Sequence, residues 1–425
     1  MINPKKHFEK LPKTMSKSHK FKVALIGCGG RIHPYAKSLH DSGEVEIVAC
    51  ADPSKKNLED TLAAAGLTGA PVRKYADWRE LCEKEKELDG AVISTPNHLH
   101  RAPAEALLPR HIPIALEKPI ANTMEDAERI LEVARIHKGR ILLGFVLRST
   151  PFYTKIHELL RDDRIGNIVS IQADELVSCG ISSVIARGPW RRYTATSGGS
   201  MMEKCSHDMD LLNWFIGARP VAVNSFGGTL LFRPNAALPK KCADCALQEQ
   251  CIYYGKPPFN EASADAILES SMDDSRYLCI YNIDKDVFDN QVVSLQYANG
   301  VIANFTLAFN TRGERAGRNI HIIGTRGRIW GNIDESVVGV NETLTGRTEH
   351  FPIAIDPAAC GGHNGGDVNH ALELLRMMKD PTYTPVQGPY AGYLSNALCI
   401  AADLSAREGR QLHLRYNAEG YISFA

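Results

Sequence analysis

The chain has 425 residues, of which 44% are hydrophobic and 23% charged, and its formal net charge is zero. This length exceeds the roughly 250–300 residues that one core accommodates, so we expect two domains. The balanced charge gives no basis for binding nucleic acid or an anionic membrane surface, and no apolar run approaches the roughly 20 residues that span a bilayer. Residues 1–20 are polar and basic, without the apolar stretch of a secretory signal, and are expected to form a mobile tail. Eleven cysteines without such a signal favour a cytoplasmic protein with no disulfide framework.

Short apolar runs alternate with helical patterns between residues 21 and 146. The predicted strands are 21–26, 44–51, 90–94, 112–116 and 140–145, and the predicted helices lie near 34–40, 54–66, 99–109 and 123–138. Strands that alternate with helices in this way form a parallel sheet with right-handed crossovers. We therefore expect an α/β domain of the Rossmann type over residues 21–146.

A glycine-rich turn follows the first predicted strand. Gly27 permits a tight turn, Gly29 lets the backbone approach a pyrophosphate, and Gly30 adds further conformational freedom. Ile32 stands where the third glycine of the dinucleotide-binding fingerprint is expected, so helix and strand are farther apart there. Asp52 ends the second strand about twenty residues past the turn, where an acid binds the ribose hydroxyls. This order predicts a dinucleotide site, and the acid favours NAD over NADP because it repels a 2′-phosphate.

Two further polar clusters stand at predicted strand ends. They are Ser94-Thr-Pro-Asn-His-Leu-His100 and Glu117-Lys118-Pro119. Open α/β sheets bind ligands at the carboxyl ends of their strands. Each cluster alone is equally consistent with an ordinary surface loop, but together with the glycine turn they indicate one binding edge.

Residues 147–425 are expected to form a second, α+β domain. Alternating apolar patterns predict strands at 169–177 and 221–232 and hairpins at 291–307 and 319–331. This is an antiparallel meander that follows a parallel domain. A large sheet of this kind often presents one face to a second copy, so we expect a homo-oligomer.

The segment Glu203-Lys-Cys-Ser-His-Asp-Met-Asp210 is predicted to be helical, with Glu203 and His207 on one face. An imidazole accepts a proton near neutral pH, and a nearby carboxylate can orient it. The alternative is a structural His207 that is satisfied by Asp210 or by the backbone. Trp190 and Arg192 precede this helix and offer an apolar platform and hydrogen-bond donors for a sugar, or equally a buried anchor.

This ordered set of motifs resembles the Gfo/Idh/MocA family of NAD(P)-dependent oxidoreductases. The resemblance covers residues 21–425 and rests on the glycine turn, Thr95-Pro-Asn-His-Leu-His100, Glu117-Lys-Pro119, Gly144-Phe-Val-Leu-Arg148 and the acid–histidine segment. It implies a Rossmann domain joined to a second domain with an open, mostly antiparallel sheet. It also implies that Lys118 lies beside the nicotinamide and bonds the reacting hydroxyl, and that His207 accepts the proton. Glu203 replaces the aspartate that usually partners this histidine.

The residues predicted to bind the cofactor are Gly27, Gly29, Gly30, Arg31, Ile32, Asp52, Thr95, Pro96, Asn97, His100, Glu117, Lys118 and Arg148. The residues predicted to bind the substrate are Lys118, Trp190, Arg192, Glu203, His207 and Asp210, of which Lys118, His207 and Glu203 are the predicted catalytic set. We expect NAD-dependent oxidation of a secondary hydroxyl of a sugar, glycoside or inositol. One alternative is a glycosidase that recycles its NAD through oxidation, elimination, hydration and reduction. A third is a sensor of sugar or NAD without catalysis.

An insertion at residues 233–280 carries four cysteines, which are Cys242, Cys245, Cys251 and Cys279. Four thiolates suit tetrahedral zinc, and a polar insertion of this length needs such a staple. We therefore expect a structural zinc site. An iron–sulfur cluster uses the same ligands, and four unrelated thiols are the remaining alternative.

Overall fold

The computed structural model describes residues 20–254, 275–311, 316–355 and 363–425. The predicted tail, apart from its last residue, and the middle of the cysteine insertion lie outside these described residues.

Within the described ranges, the first sheet has six parallel strands in the order β3-β2-β1-β4-β5-β6. The strands are β1 Phe21–Ile26, β2 Val45–Ala51, β3 Arg73–Tyr75, β4 Gly90–Ile93, β5 Ile114–Leu116 and β6 Ile141–Leu143. The helices between them are α1 His33–Asp41, α2 Lys55–Ala64, α3 Trp78–Lys84, α4 Arg101–Leu107 and α5 Met124–Ile136. This confirms the predicted Rossmann architecture.

Side-chain caps explain where several of these helices begin. Ser54 accepts a hydrogen bond from the Asn57 N–H at the start of α2, and Thr123 accepts one from Asp126 at the start of α5. A hydroxyl at this position satisfies one of the N–H groups that the first helical turn leaves unpaired. The chain therefore turns from strand to helix at residues whose side chains favour the turn.

The second sheet, as far as the chain is described, has ten strands in the order β14-β13-β12-β11-β7-β10-β9-β8-β15-β16. Its strands are β7 Ile168–Ser178, β8 Pro220–Gly228, β9 Asn290–Tyr297, β10 Ile302–Thr311, β11 Gly317–Gly324, β12 Gly327–Asn332, β13 Val337–Glu342, β14 Thr348–Pro352, β15 Leu412–Tyr416 and β16 Ile422–Phe424. Strands β7 and β10 pair parallel, whereas the other neighbours pair antiparallel. The predicted mostly antiparallel second sheet is confirmed.

Six helices complete the described structure of the second half. They are α6 Pro151–Arg161, α7 Cys179–Arg187, α8 Thr194–Ser197, α9 Ser200–Ile216, α10 Gly366–Lys379 and α11 Pro389–Glu408. Helix α10 buries Ala371, Leu374 and Met377 against the first sheet, in one core with Val23 and Leu25. A helix from the C-terminal part of the chain thus packs on one face of the first sheet.

Helix α11 fixes the second half against the strand ends of the first. Asn396 donates to the Ala121 carbonyl at 2.6 Å, just beyond the Glu117-Lys118-Pro119 segment. Ser395 donates to the Ser206 carbonyl of α9, also at 2.6 Å. Both hydrogen bonds are buried, so water does not compete for their donors and acceptors. One helix therefore holds two predicted functional segments at a set separation.

Candidate active site

The glycine turn after β1 leaves open space where a cofactor's phosphates would lie. Gly27 has φ +82°, and a Cβ there would stand 2.6 Å from the Thr95 backbone nitrogen, so the position requires glycine. At Gly29, a Cβ would meet nothing within 4 Å. Helix α1 begins at His33 after a single 3₁₀ turn at Gly30–Ile32. A glycine turn that leads from a strand into a helix in this way is the usual form of a helix-end anion site, and so fits the pyrophosphate of a dinucleotide.

Asp52 is held against this turn at the end of β2. Its Oδ2 accepts from the Cys28 N–H at 2.8 Å, and its Oδ1 accepts from the Ser54 N–H at 2.8 Å and from Asn57 at 3.2 Å. The carboxylate is 9% exposed. Its position at the strand end agrees with the predicted ribose site, and the ribose contact itself stays a prediction.

Lys118 reaches from the end of β5 to helix α9. Its Nζ donates to the Glu203 carbonyl oxygen, and the Lys118–Pro119 peptide bond is cis. Burial lowers the pKa of Lys118, while the carboxylates of Glu203 and Glu117 oppose that shift. The Lys118 side chain therefore contacts helix α9, and its role in stabilising a developing alkoxide stays a prediction.

Glu203 pairs with residues other than the predicted partner. Its Oε1 accepts from Arg191 Nε at 2.9 Å and its Oε2 from Asn97 Nδ2 at 2.9 Å. Burial alone would raise the pKa of Glu203, but the charges of Arg191 and Lys118 outweigh it and lower the pKa. Glu203 therefore forms an ion pair with Arg191, which lies in the loop before α8, instead of the expected carboxylate–imidazole pair with His207.

Sequence reasoning selected Arg192 and missed Arg191. Arg192 donates to the Arg187 carbonyl at 2.9 Å, whereas Arg191 lies over the Trp190 ring at 4.2 Å and binds Glu203. The segment lies between α7 and α8, where no helical or strand period tells which of two adjacent arginines points to the site. The tryptophan is half-buried and supports Arg191.

His207 is buried beneath this cluster. It is 3% exposed, its Nδ1 has no hydrogen-bond partner in the described part of the chain, and its ring lies 6.0 Å from that of Phe145. Burial lowers the pKa of His207 well below its usual value, and the charges of Lys118 and Arg318 lower it further. The imidazole is therefore neutral at rest and has a nitrogen available to accept a proton.

Arg31 is tied to acidic side chains from both halves of the molecule. It binds Glu117 at 2.9 Å and Asp367 of α10 at 2.6 Å. Arg31 and Glu117 thus lie at the predicted cofactor edge and pair with each other. Sequence reasoning did not select Asp367 for the site, because its distance of 250 positions from Glu117 leaves no local signal.

Three other predicted residues have their polar atoms engaged within the protein. Arg148 forms a two-pronged ion pair with Asp210, at 2.6 and 2.5 Å, and Asp210 is 1% exposed. His100 lies between the carbonyls of Pro119 and Thr95, at 2.8 and 2.9 Å. These contacts hold helix α9 and the loops that follow β4 and β5 in place. Because both carboxylate oxygens of Asp210 are bound by Arg148, the geometry favours a supporting role for Asp210 over the predicted contact with substrate.

The four cysteines of the insertion lie together but not as metal ligands. All four line one cavity of about 450 Å³, away from Lys118 and His207. No group of three His, Cys, Asp or Glu side chains in the described residues is arranged to hold a metal ion. Arg187 is 2% exposed and donates to Cys242 Sγ at 3.9 Å, so a buried guanidinium shares the space between the thiols. The structure therefore does not support the predicted zinc site.

A Rossmann sheet with an open glycine turn, a lysine at a strand end and a histidine on the adjoining helix α9 is typical of dinucleotide-dependent oxidoreductases. Residues 21–145 match the model of the oxidoreductase family with an NAD-binding Rossmann fold, and residues 153–330 match the GFO/IDH/MocA C-terminal domain. The chain belongs to the Gfo/Idh/MocA family, as the sequence motifs indicated.

Known relatives are similar at low identity. The protein YteT of Bacillus subtilis (strain 168) is 28% identical over 335 residues, which cover 73% of this chain and 77% of that protein. Inositol 2-dehydrogenase of Rhizobium meliloti (strain 1021) is 28% identical over 212 residues, or 49% of this chain and 59% of that enzyme.

Solved structures share the fold over nearly the whole length. Levoglucosan dehydrogenase in complex with NADH and levoglucosan has a TM-score of 0.71 at 18% identity, covering 93% of this chain and 99% of that one. The WlbA dehydrogenase of Bordetella pertussis, in complex with NADH and UDP-GlcNAcA, has a TM-score of 0.67 at 18% identity, covering 94% and 100%. In the described residues, no helix has the length and apolar character to cross a membrane.

Proposed function

We propose that this protein oxidises a secondary hydroxyl of a sugar, glycoside or inositol and passes the hydride to NAD. The proposal depends on one observation: Lys118 donates a hydrogen bond to the Glu203 carbonyl of helix α9, one turn before the buried His207. The names of an inositol dehydrogenase and a levoglucosan dehydrogenase among the similar proteins support the substrate class.

The chain supplies the proton handling for this reaction. Bound NAD would provide the hydride acceptor, held by the glycine turn and Asp52. Lys118 would bind the hydroxyl oxygen and stabilise negative charge as it develops there. His207 would accept the hydroxyl proton at its free nitrogen. Glu203 and Arg191 would fix the position of α9 relative to the loop at residues 188–193.

The test is a screen of polyols and glycosides with NAD, read as the absorbance of NADH. Oxidation of one of these compounds with NADH formed in proportion supports the dehydrogenase. Release of far more aglycone from an aryl glycoside than the NAD present, without NADH, would instead establish the glycosidase. Binding of sugar and NAD with neither outcome would establish the sensor. We favour net oxidation because the sequence motifs contain no second acid or base dedicated to elimination.

Homo-oligomer formation remains a prediction of the sequence. Support comes from apolar side chains exposed on the second sheet, where Phe226 of β8 is 72% exposed and stands beside Val292 of β9, 48% exposed. Exposed neighbouring apolar side chains often mark an interface. Light scattering of the purified protein would decide the state.

A further inference from the structure

The proposed oxidation creates a problem of proton exit. Each hydride transferred leaves one proton on His207, which is 3% exposed and lies near the positive charges of Lys118 and Arg318. A buried imidazole surrounded by cations cannot retain this proton between turnovers. The proton therefore has to pass to another group before His207 can act again.

His363 is placed to take it. Its ring centroid lies 5.8 Å from that of His207, with the two planes inclined by 54°. At this separation, direct contact or one intervening water would connect the ring nitrogens. The side chain of His363 is 27% exposed, whereas His207 is 3% exposed, so His363 is the more accessible of the two rings.

Asp367 orients His363. Its Oδ2 lies 3.1 Å from His363 Nδ1, one helical turn along, and its Oδ1 is bound by Arg31 at 2.6 Å. Burial opposes ionisation, but Arg31 holds the pKa of Asp367 below its usual range. An ionised carboxylate at this position selects the tautomer with hydrogen on Nδ1, and leaves Nε2 as the acceptor. Arg31 Nη1 lies farther from Nδ1, at 3.4 Å.

We propose that His363, oriented by Asp367, relays the hydroxyl proton from His207 to solvent. The proposal rests on the proposed oxidation, in which one alcohol and one NAD give one carbonyl compound, one NADH and one proton. The proton moves from the hydroxyl to His207, then to His363 Nε2, and then to water. The charged and titratable groups that act on His363 are Asp367, Arg31, Arg318, Glu175 and His207.

The first experiment removes the relay and replaces it chemically. The variant is His363→Ala, assayed with NAD and myo-inositol in dilute, poorly buffering solution. We expect kcat to fall by about tenfold or more, since positioned proton transfer typically contributes 10²–10⁴-fold. Added imidazole should restore most of it, with KM nearly unchanged. The control is His413→Ala, an exposed histidine of β15, which should lose no activity. A loss that imidazole does not restore would overturn the relay.

The second experiment does not depend on turnover, so it separates this proposal from the proposed function. Nitrogen NMR of ¹⁵N-histidine-labelled protein loaded with NAD reports the tautomer of each ring. We expect neutral His363 to carry its hydrogen on Nδ1, and Asp367→Asn to abolish that preference. If no polyol or glycoside is oxidised, the proposed function fails while this result still decides the geometry. A neutral His363 with hydrogen on Nε2 would overturn the relay in either case.

Discussion

The site around Lys118 and His207 and the cysteine insertion were both predicted from short motifs, yet they differ in how much regular structure carries them. Lys118 and His207 each project from the end or face of a regular element, and two buried contacts of α11 fix those elements. In the described part of the insertion, the four cysteines lie in a segment whose regular structure is limited to short 3₁₀ turns at Cys242–Asp244 and Ser275–Tyr277. The comparison teaches that the spacing of residues in the sequence indicates where their side chains point only when those residues lie on a helix or strand.

The largest expected effect tests the site around Lys118 and His207. Lys118→Met and His207→Ala should each lower turnover by about 10²–10⁴-fold, because each removes a group that handles charge or a proton in the transition state. Binding of NAD, measured by calorimetry, should change little. Lys74→Met on β3, an exposed lysine, is the matched control. Near-native turnover of either variant would remove that residue from the mechanism.

A smaller effect is expected at the ion pair that the sequence did not predict. Glu203→Gln should lower turnover by about tenfold, because Arg191 loses its charged partner and the loop at residues 188–193 shifts. Residues that act as one unit give non-additive effects. The double variant with Arg191→Gln should therefore be no slower than the worse single variant. Losses that multiply would show that Glu203 acts on its own, as in the predicted pairing with His207.

Local sequence pattern predicts some parts of the fold and site but not others. That β1, β2 and β4–β6 are strands of one parallel sheet follows from alternating apolar runs and helical periods, and it was predicted. Strand β3 was missed because two of its three residues, Arg73 and Lys74, are charged and exposed. The return of α10 to the first sheet and its Asp367–Arg31 contact depend on the whole topology, so no local signal reveals them.

The preference for NAD over NADP tests the predicted contact between Asp52 and the ribose of the cofactor. Asp52→Ala should narrow the ratio of NAD to NADP affinity by roughly tenfold, since it removes the charge that repels a 2′-phosphate. The variant also loses the acceptor of the Cys28 N–H, so thermal unfolding has to be measured beside affinity. Equal affinity of the unaltered protein for both cofactors would refute the ribose assignment.

The smallest effects are expected in the cysteine insertion, and they decide whether its thiols act separately. Cys242 and Cys279 are 7% and 9% exposed, whereas Cys245 and Cys251 are half-buried. If each packs as an ordinary small side chain, substitution by alanine should cost about 1 kcal/mol at the two buried positions and less at the others. Unfolding in denaturant, with and without a chelator, measures this. If all four substitutions lower the free energy of unfolding equally, and a chelator lowers it by the same amount in the unaltered protein, the cysteines act as one unit. Metal ligands behave in that way, because removing any one of them abolishes the same bound ion. Unequal losses that a chelator does not change would leave Arg187 and the surrounding packing as what holds the insertion together.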